Sequence, residues 1–175
     1  VTLTFPDGST HDLPIKRGVM GAEKFIDIAT LFAKKGYFTY DPGMTNTATC
    51  SSAITFIDGA KGKCLYRGYP VADLCEQCDY LEVCYLLLWG ELPDPADRQL
   101  FSQVVMQSSL VHEKFKKFFD GFPDQTHPMA IMVSACGALS AFFHDSLDIW
   151  SEADREVTAM RLIGKLPTIA AMAYK

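Results

Sequence analysis

The chain has 175 residues, 49% hydrophobic and 21% charged, ordinary globular material able to bury one sizeable core. A formal net charge of -5 and a sequence pI near 5.3 exclude a general attraction to nucleic acid or anionic membrane, because both need clustered Lys and Arg. Six cysteines (Cys50, Cys64, Cys75, Cys78, Cys84, Cys136) sit mostly in apolar periodic segments, where a free thiol behaves as a small hydrophobe; a reducing cytoplasm fits that usage.

In chain order, Leu3 and Phe5 alternate with threonines, and Pro6-Asp7-Gly8-Ser9 supplies turn residues before Leu13 and Ile15, which reads as a small hairpin. Val1 to Asp12 carries Asp7 and His11 and lacks the basic then apolar pattern of a secretory signal. A second hairpin is expected from Ile54 to Ile57, through the loop Asp58-Gly59-Ala60-Lys61-Gly62, and out along Cys64-Leu65-Tyr66. After Arg67-Gly68 the period becomes helical. Pro70 can open a short helix through Cys75. Asp79, with Glu82 three residues on, resembles a capping box; the run Tyr80 to Trp89 is almost wholly apolar and should be buried on most sides, and Gly90 is placed to end it.

Asp94-Pro95 starts the next helix, and Phe115, Phe118 and Phe119 make an apolar stripe before Gly121, with Lys114, Lys116 and Lys117 on solvated faces. Pro128 opens a helix in which Ala130, Ser134, Ala138 and Gly137, Ala141 recur at spacings of four, so that a second helix backbone can come close. The apolar stretch Met129 to Phe143 falls short of the ~20 residues that span a bilayer. Ser151 caps a last helix that meets Pro167 as a kink and is still in progress at Tyr174, without a C-cap glycine, so the sequence looks cut rather than finished. The expected organisation is a β-hairpin-containing segment over 1–66 and a helical part over 67–175.

Each chemical motif has a plain structural alternative. Cys75-x-x-Cys78 has no second pair to complete a zinc site, and Asp73, Glu76 and Asp79 favour the thiol over the thiolate. His144-Asp145 could ligate a metal, yet two ligands define no site, and a histidine at a helix end suits the dipole. His127-Pro128 stands where a helix starts, so capping is the expected role. Gly59-Ala60-Lys61-Gly62-Lys63 has neither the spacing nor the strand-then-helix setting of a phosphate loop. Composition and spacing alone lead to a soluble, mainly α domain with no metal and no bound cofactor.

Longer segments carry more. Phe38-Thr39-Tyr40-Asp41-Pro42-Gly43, Ile54 to Gly59, Leu65-Tyr66-Arg67-Gly68-Tyr69-Pro70 and Tyr80 to Pro93 follow one another in order. After them come His127-Pro128-Met129-Ala130, Gly137 to Phe142, His144 to Asp148 and Pro167 to Met172. This series, spread over essentially the whole chain, resembles type II citrate synthases of Gram-negative bacteria. The resemblance implies a mainly α citrate synthase fold with a small N-terminal β segment, in a cytoplasmic enzyme that joins acetyl-CoA to oxaloacetate to give citrate and CoA. It spans less than the first half of such an enzyme. The catalytic aspartate and histidines are therefore expected beyond Lys175, no catalytic residue is assigned here, and the chain by itself should be inactive.

What the resemblance assigns to this stretch is scaffold, a homo-oligomer contact (dimer or hexamer of dimers) through the helix Pro128 to Phe143, and part of an allosteric nucleotide site. For that site Arg161 and Lys165 match basic positions that hold NADH phosphates, and their i, i+4 spacing puts both on one helix face. Where the regulated enzymes carry an Arg-His-Thr run and a tyrosine, this chain has Gln107-Ser108-Ser109 and Phe143. The alternative for Arg161 and Lys165 is an ordinary solvated helix face. The alternatives for the whole are a 2-methylcitrate synthase, which uses propionyl-CoA, and a short non-catalytic chain that dimerises or binds a regulatory nucleotide.

Overall fold

The computed structural model describes residues 1–21 and 23–174; Lys175, where the chain was expected to break off within a helix, lies outside them. The chain folds as two compact units, Val1–Asp79 with Leu86–Glu91, and Tyr80–Tyr85 with Leu92–Lys175.

The first unit begins with β1 (Thr2–Thr4) paired antiparallel to β2 (Thr10–Asp12), with Leu3 opposite His11. Asp7 and Gly8 make the expected turn: the Asp7 carboxylate accepts the Ser9 N–H, and Gly8 takes φ 78, which a side chain would resist. The first hairpin reaches Leu13, whose N–H donates to the Val1 carbonyl at 2.8 Å and whose carbonyl accepts from the Val1 ammonium at 3.0 Å, but it does not reach Ile15. Pro14 has no N–H to extend the ladder, and Ile15 instead opens β3 (Ile15–Arg17), which pairs with β4 (Lys24–Ile26). A short helix α1 (Leu31–Lys35) follows and closes on Gly36 in the left-handed region at φ 75.

The second expected hairpin is present within a residue of its expected bounds, as β5 (Thr55–Asp58) against β6 (Lys63–Tyr66), and β7 (Tyr69–Pro70) adds a third strand. Asp58 ties the loop by accepting from the Lys61 amide and ammonium. Pro70 then stands at the N-cap position of α2 (Val71–Gln77), without a side-chain cap hydrogen bond. The packed side chains of this first unit are mainly leucines: Leu13, Leu31, Leu65, Leu74 and Leu86.

The helix α3 (Tyr80–Trp89) supplies residues 80–85 to the second unit and 86–89 to the first, and ends at Gly90 with φ 95 as expected. It is not buried on most sides. Of its residues only Leu86 is fully enclosed, while Tyr80 is 71% exposed and Trp89 38%. A helix apolar all round needs cover all round, whereas Leu81 to Tyr85 and Leu87 are only half-buried.

In the second unit α4 (Pro95–Gln107) starts on Asp94, whose carboxylate accepts the Ala96 and Asp97 N–H groups. Then come α5 (Glu113–Phe119), α6 (Pro128–Leu139), a single 3-10 turn over His144–Ser146, and α7 (Glu152–Ala173). The core gathers Phe115 and Phe119 from α5, Ile131, Ala135 and Leu139 from α6, and Ile169 and Ala173 from α7. On α6 the small-residue pattern divides: Ala138 packs against this core, whereas Ala130, Ser134, Gly137 and, just past the helix, Ala141 are exposed beside Val133. The helix α7 continues through Pro167, within the span Glu152–Ala173. No helix among the described residues is long and apolar enough to cross a membrane.

Candidate functional site

The polar groups of the second unit that come from most distant parts of the sequence meet around the middle of α7. Ser151 starts that helix as expected, accepting the Asp154 N–H on its hydroxyl oxygen. One turn further, the Thr158 hydroxyl donates to the Ser146 carbonyl at 3.0 Å, which holds the 3-10 turn against α7. That places Asp145 opposite Arg161. The guanidinium takes the carboxylate in a two-pronged grip, 2.8 Å to Oδ1 and 2.7 Å to Oδ2, and also donates to the Ser146 hydroxyl at 2.8 Å. The pair shifts both groups: the Arg161 hydrogen bond holds the Asp145 carboxyl below its ordinary range, and Asp145 in turn raises Arg161.

Lys165, one turn on, has a different environment. It is 5% exposed, and its ammonium donates to the carbonyls of Ser108 at 2.6 Å and Leu110 at 2.8 Å. Thr168 donates to the Ser109 carbonyl between them at 2.9 Å. Three successive carbonyls at the end of α4 are thus satisfied from α7, and a cation lies at the negative end of the α4 dipole. Burial, and secondarily the charge of Arg161, lowers the Lys165 pKa from its ordinary value. This approach is possible because Gly164 has no side chain: a Cβ there would lie 2.5 Å from the Val105 carbonyl oxygen.

The Phe143 ring meets both cations, with Arg161 at 4.8 Å and Lys165 at 4.9 Å from its centroid. Beside them is a cavity of about 130 Å³ lined in part by Cys136, Ser140, Ser146 and Thr158. Typical small-molecule pockets hold ~300 Å³ or more, so this space is small beside them.

The structure therefore brings together Arg161, Lys165, Phe143 and the Ser108-Ser109 backbone, all positions singled out in the sequence by resemblance. Arg161 is mostly covered and ion-paired, and Lys165 is buried, so neither stands on an open solvated face. Sequence reasoning missed Asp145 as the partner of Arg161, because the acid was read with its neighbour His144; the carboxylate instead crosses to α7. Ser146 and Thr158 carried no local signal at all. His127 caps α6 as expected, and His112 caps α5 in the same way. All six cysteines are reduced thiols, and no group of three or more His, Cys, Asp or Glu among the described residues could hold a metal ion.

Residues 43–175 match the family model described as citrate synthase, C-terminal domain. The chain belongs to the citrate synthase family. Solved structures agree on the fold. The chain is similar to citrate synthase from Pyrobaculum aerophilum at 27% identity and a TM-score of 0.67, over 75% of this chain and 35% of that one. Citrate synthase from Thermoplasma acidophilum, solved in a ternary complex with carboxymethyl coenzyme A and oxaloacetate, shares the fold at 23% identity and a TM-score of 0.69, over 75% of this chain and 34% of that one. For citrate synthase from Thermotoga maritima MSB8 the values are 24%, 0.66, 78% and 34%. The chain spans about a third of the length of each of these structures. Its mainly α architecture is that of the family.

Proposed function

We propose that this chain is the amino-terminal portion of a type II citrate synthase, an enzyme that condenses acetyl-CoA with oxaloacetate and releases CoA. The observation that carries the proposal is the family match across residues 43–175, joined to the 27% identity with the Pyrobaculum enzyme. The β1–β2 and β3–β4 pairs ahead of the matched region support the type II reading. In this proposal residues 67–175 are scaffold of the large domain, the catalytic aspartate and histidines lie beyond Lys175, and the chain alone turns nothing over.

Two further roles belong to the proposal. The exposed small residues of α6, with open space beside Gly137, support pairing with a second copy through α6 and the residues that follow it to Phe143, the stretch expected from the sequence to be one helix. The Arg161 and Lys165 cluster supports a regulatory nucleotide site only in a restricted form. Lys165 is committed to the end of α4 and Arg161 to Asp145, so a phosphate competes with a carboxylate for the guanidinium.

The test is release of CoA thiol by the full-length protein from acetyl-CoA and oxaloacetate, with propionyl-CoA and NADH as further arms. Rapid release with acetyl-CoA and little with propionyl-CoA is the expected result, with the 1–175 chain silent in both. Preference for propionyl-CoA replaces the assignment with 2-methylcitrate synthase, and no release from either thioester leaves a non-catalytic dimerising chain. Because both cations are already engaged, NADH is expected to inhibit by less than about twofold, since an effector acts only through its differential affinity for the two states.

A further inference from the structure

Where glycine follows aspartate, the side-chain carboxyl and the next main-chain nitrogen meet with little hindrance, because glycine has no Cβ to shield its nitrogen and turns freely. The chain holds three such pairs: Asp7-Gly8, Asp58-Gly59 and Asp120-Gly121. Two of the three carboxylates are tied. Asp7 accepts the Ser9 N–H at 2.9 Å, and Asp58 accepts the Lys61 N–H at 3.1 Å and the Lys61 ammonium at 2.9 Å. Hydrogen bonds from Ser9, its side chain before its amide, hold the Asp7 carboxyl below its ordinary value, and the Lys61 ammonium, then its amide, does the same for Asp58.

Asp120 is different. It is exposed at the C-cap of α5 (φ -67, ψ -18), and among the described residues its carboxylate accepts no hydrogen bond and joins no ion pair. The main chain beyond it is equally open. Past the C-caps of α4 and α6 the next N–H donates into the last turn, Ser109 to Met106 at 3.1 Å and Ala141 to Ala138 at 3.0 Å, whereas the Gly121 N–H makes no such bond. Packing does not require glycine there. A Cβ on Gly121 would meet the Phe118 carbonyl oxygen at 3.6 Å, an ordinary contact, and its φ lies outside the left-handed region.

We propose that Asp120-Gly121 is a spontaneous modification site, at which Asp120 rearranges to isoaspartate with water as the only reagent. The Gly121 nitrogen attacks Cγ of the Asp120 side chain in its neutral acid form. Its proton and the carboxyl hydroxyl leave as water, and a cyclic imide closes. Water then opens the ring. Cleavage of the Cγ–N bond restores aspartate, whereas cleavage between the nitrogen and the Asp120 main-chain carbonyl carbon leaves the chain running through the side chain, with the old carbonyl as a free carboxylate. The water lost on closure is regained on opening, and nothing is oxidised or reduced. Because the neutral acid is the electrophile, the bonds that favour the carboxylate at Asp7 and Asp58 slow the same step there.

The product puts one extra methylene into the main chain directly after Phe119, which is 3% exposed. Three residues on, the Phe122 N–H donates to the Phe119 carbonyl at 3.3 Å, and the Phe122 ring meets Phe118 with 5.1 Å between centroids. Phe118 and Phe122 both pack against the core of the second unit. A turn closed by that hydrogen bond does not keep its geometry with another atom in its backbone. The rearrangement therefore loosens the end of α5 and draws Phe122 away from the core.

The test is incubation of the full-length protein for several weeks at neutral pH and body temperature in water enriched in 18O, followed by peptide mapping with fragmentation that separates isoaspartate from aspartate. Each ring opening leaves one heavy oxygen behind. Labelling at Asp120 should exceed that at Asp7 and at Asp58 by about three- to tenfold, the worth of a hydrogen bond holding the other two. Gly121→Ala shields the nitrogen at a position that tolerates a methyl group, and should lower labelling at Asp120 several-fold without changing it at Asp7 or Asp58. Comparable labelling at all three pairs, none at Asp120, or undiminished labelling at Asp120 in the variant overturns the proposal. In the isoaspartate fraction the Phe122 amide should exchange faster than in fresh protein, and unchanged protection there overturns the loosening of α5.

Discussion

The two units of this chain are held by different means. In the first, most of the order is local: two-stranded ladders, a tied β5–β6 loop, and Asp41, whose carboxylate accepts from Thr45, Asn46 and Thr47 within a few residues. Its buried side chains are few, and large ones such as Phe38, Tyr40 and Ile57 stay exposed. In the second, side chains from three helices interlock around Phe115, and Lys165 and Thr168 reach more than fifty residues back to the end of α4. Short-range hydrogen bonds specify shape without excluding much water. Interhelical packing supplies the cooperative stability.

That contrast can be broken first at Phe115, which is 1% exposed. Phe115→Ala should lower the stability of the second unit by about 3–5 kcal/mol in urea unfolding, because it removes a ring that α5 and α6 share. Ile57→Ala in the first unit, at a position 68% exposed, should change it by less than about 0.5 kcal/mol. Equal effects would mean that the first unit depends on packing as much as the second does. A smaller effect is expected at the α4–α7 crossing. Gly164→Ala places a methyl group against the Val105 carbonyl and should cost about 1–3 kcal/mol, in spite of the better helix propensity of alanine. A stabilised variant would show that the two helices are free to move apart.

The smallest effect sharpens the comparison from the other side. Hydrogen bonds from the Asn46 amide first, and then from the Thr47 hydroxyl, hold the Asp41 carboxyl below its ordinary value. The loop therefore keeps its full hold above the ordinary carboxylate range, near ~3.9, and loses it as pH falls through the lowered folded value. Asp41→Asn should leave the global unfolding midpoint almost unchanged, speed amide exchange at Thr45 and Asn46, and remove the acid dependence of that exchange. A shift in the global midpoint would show that the loop is coupled to the core.

Features marked by neighbouring residues were legible in the sequence. Asp94-Pro95, His127-Pro128 and Ser151 announce helix starts because a cap acts within three residues, and Gly90 announces a stop because only glycine turns readily at that φ. The β5–β6 hairpin was legible for the same reason. The pair β3–β4 was not: Ile15-Lys16-Arg17 and Lys24-Phe25-Ile26 are too short to show an alternation. Nor was the exposure of α3, since an apolar run states a need for cover and not whether cover is there.

Around α7 the division is sharper. The sequence by itself determined the helix, its cap, and the presence of two cations one turn apart on it, because these follow from spacing and local chemistry. Only the tertiary structure decided that one cation closes on Asp145 while the other, buried, closes the end of α4. Those partners lie 16 and more than fifty residues away. Which carboxylate or carbonyl a long flexible side chain finds depends on how closely the helices cross, and here a glycine sets that distance.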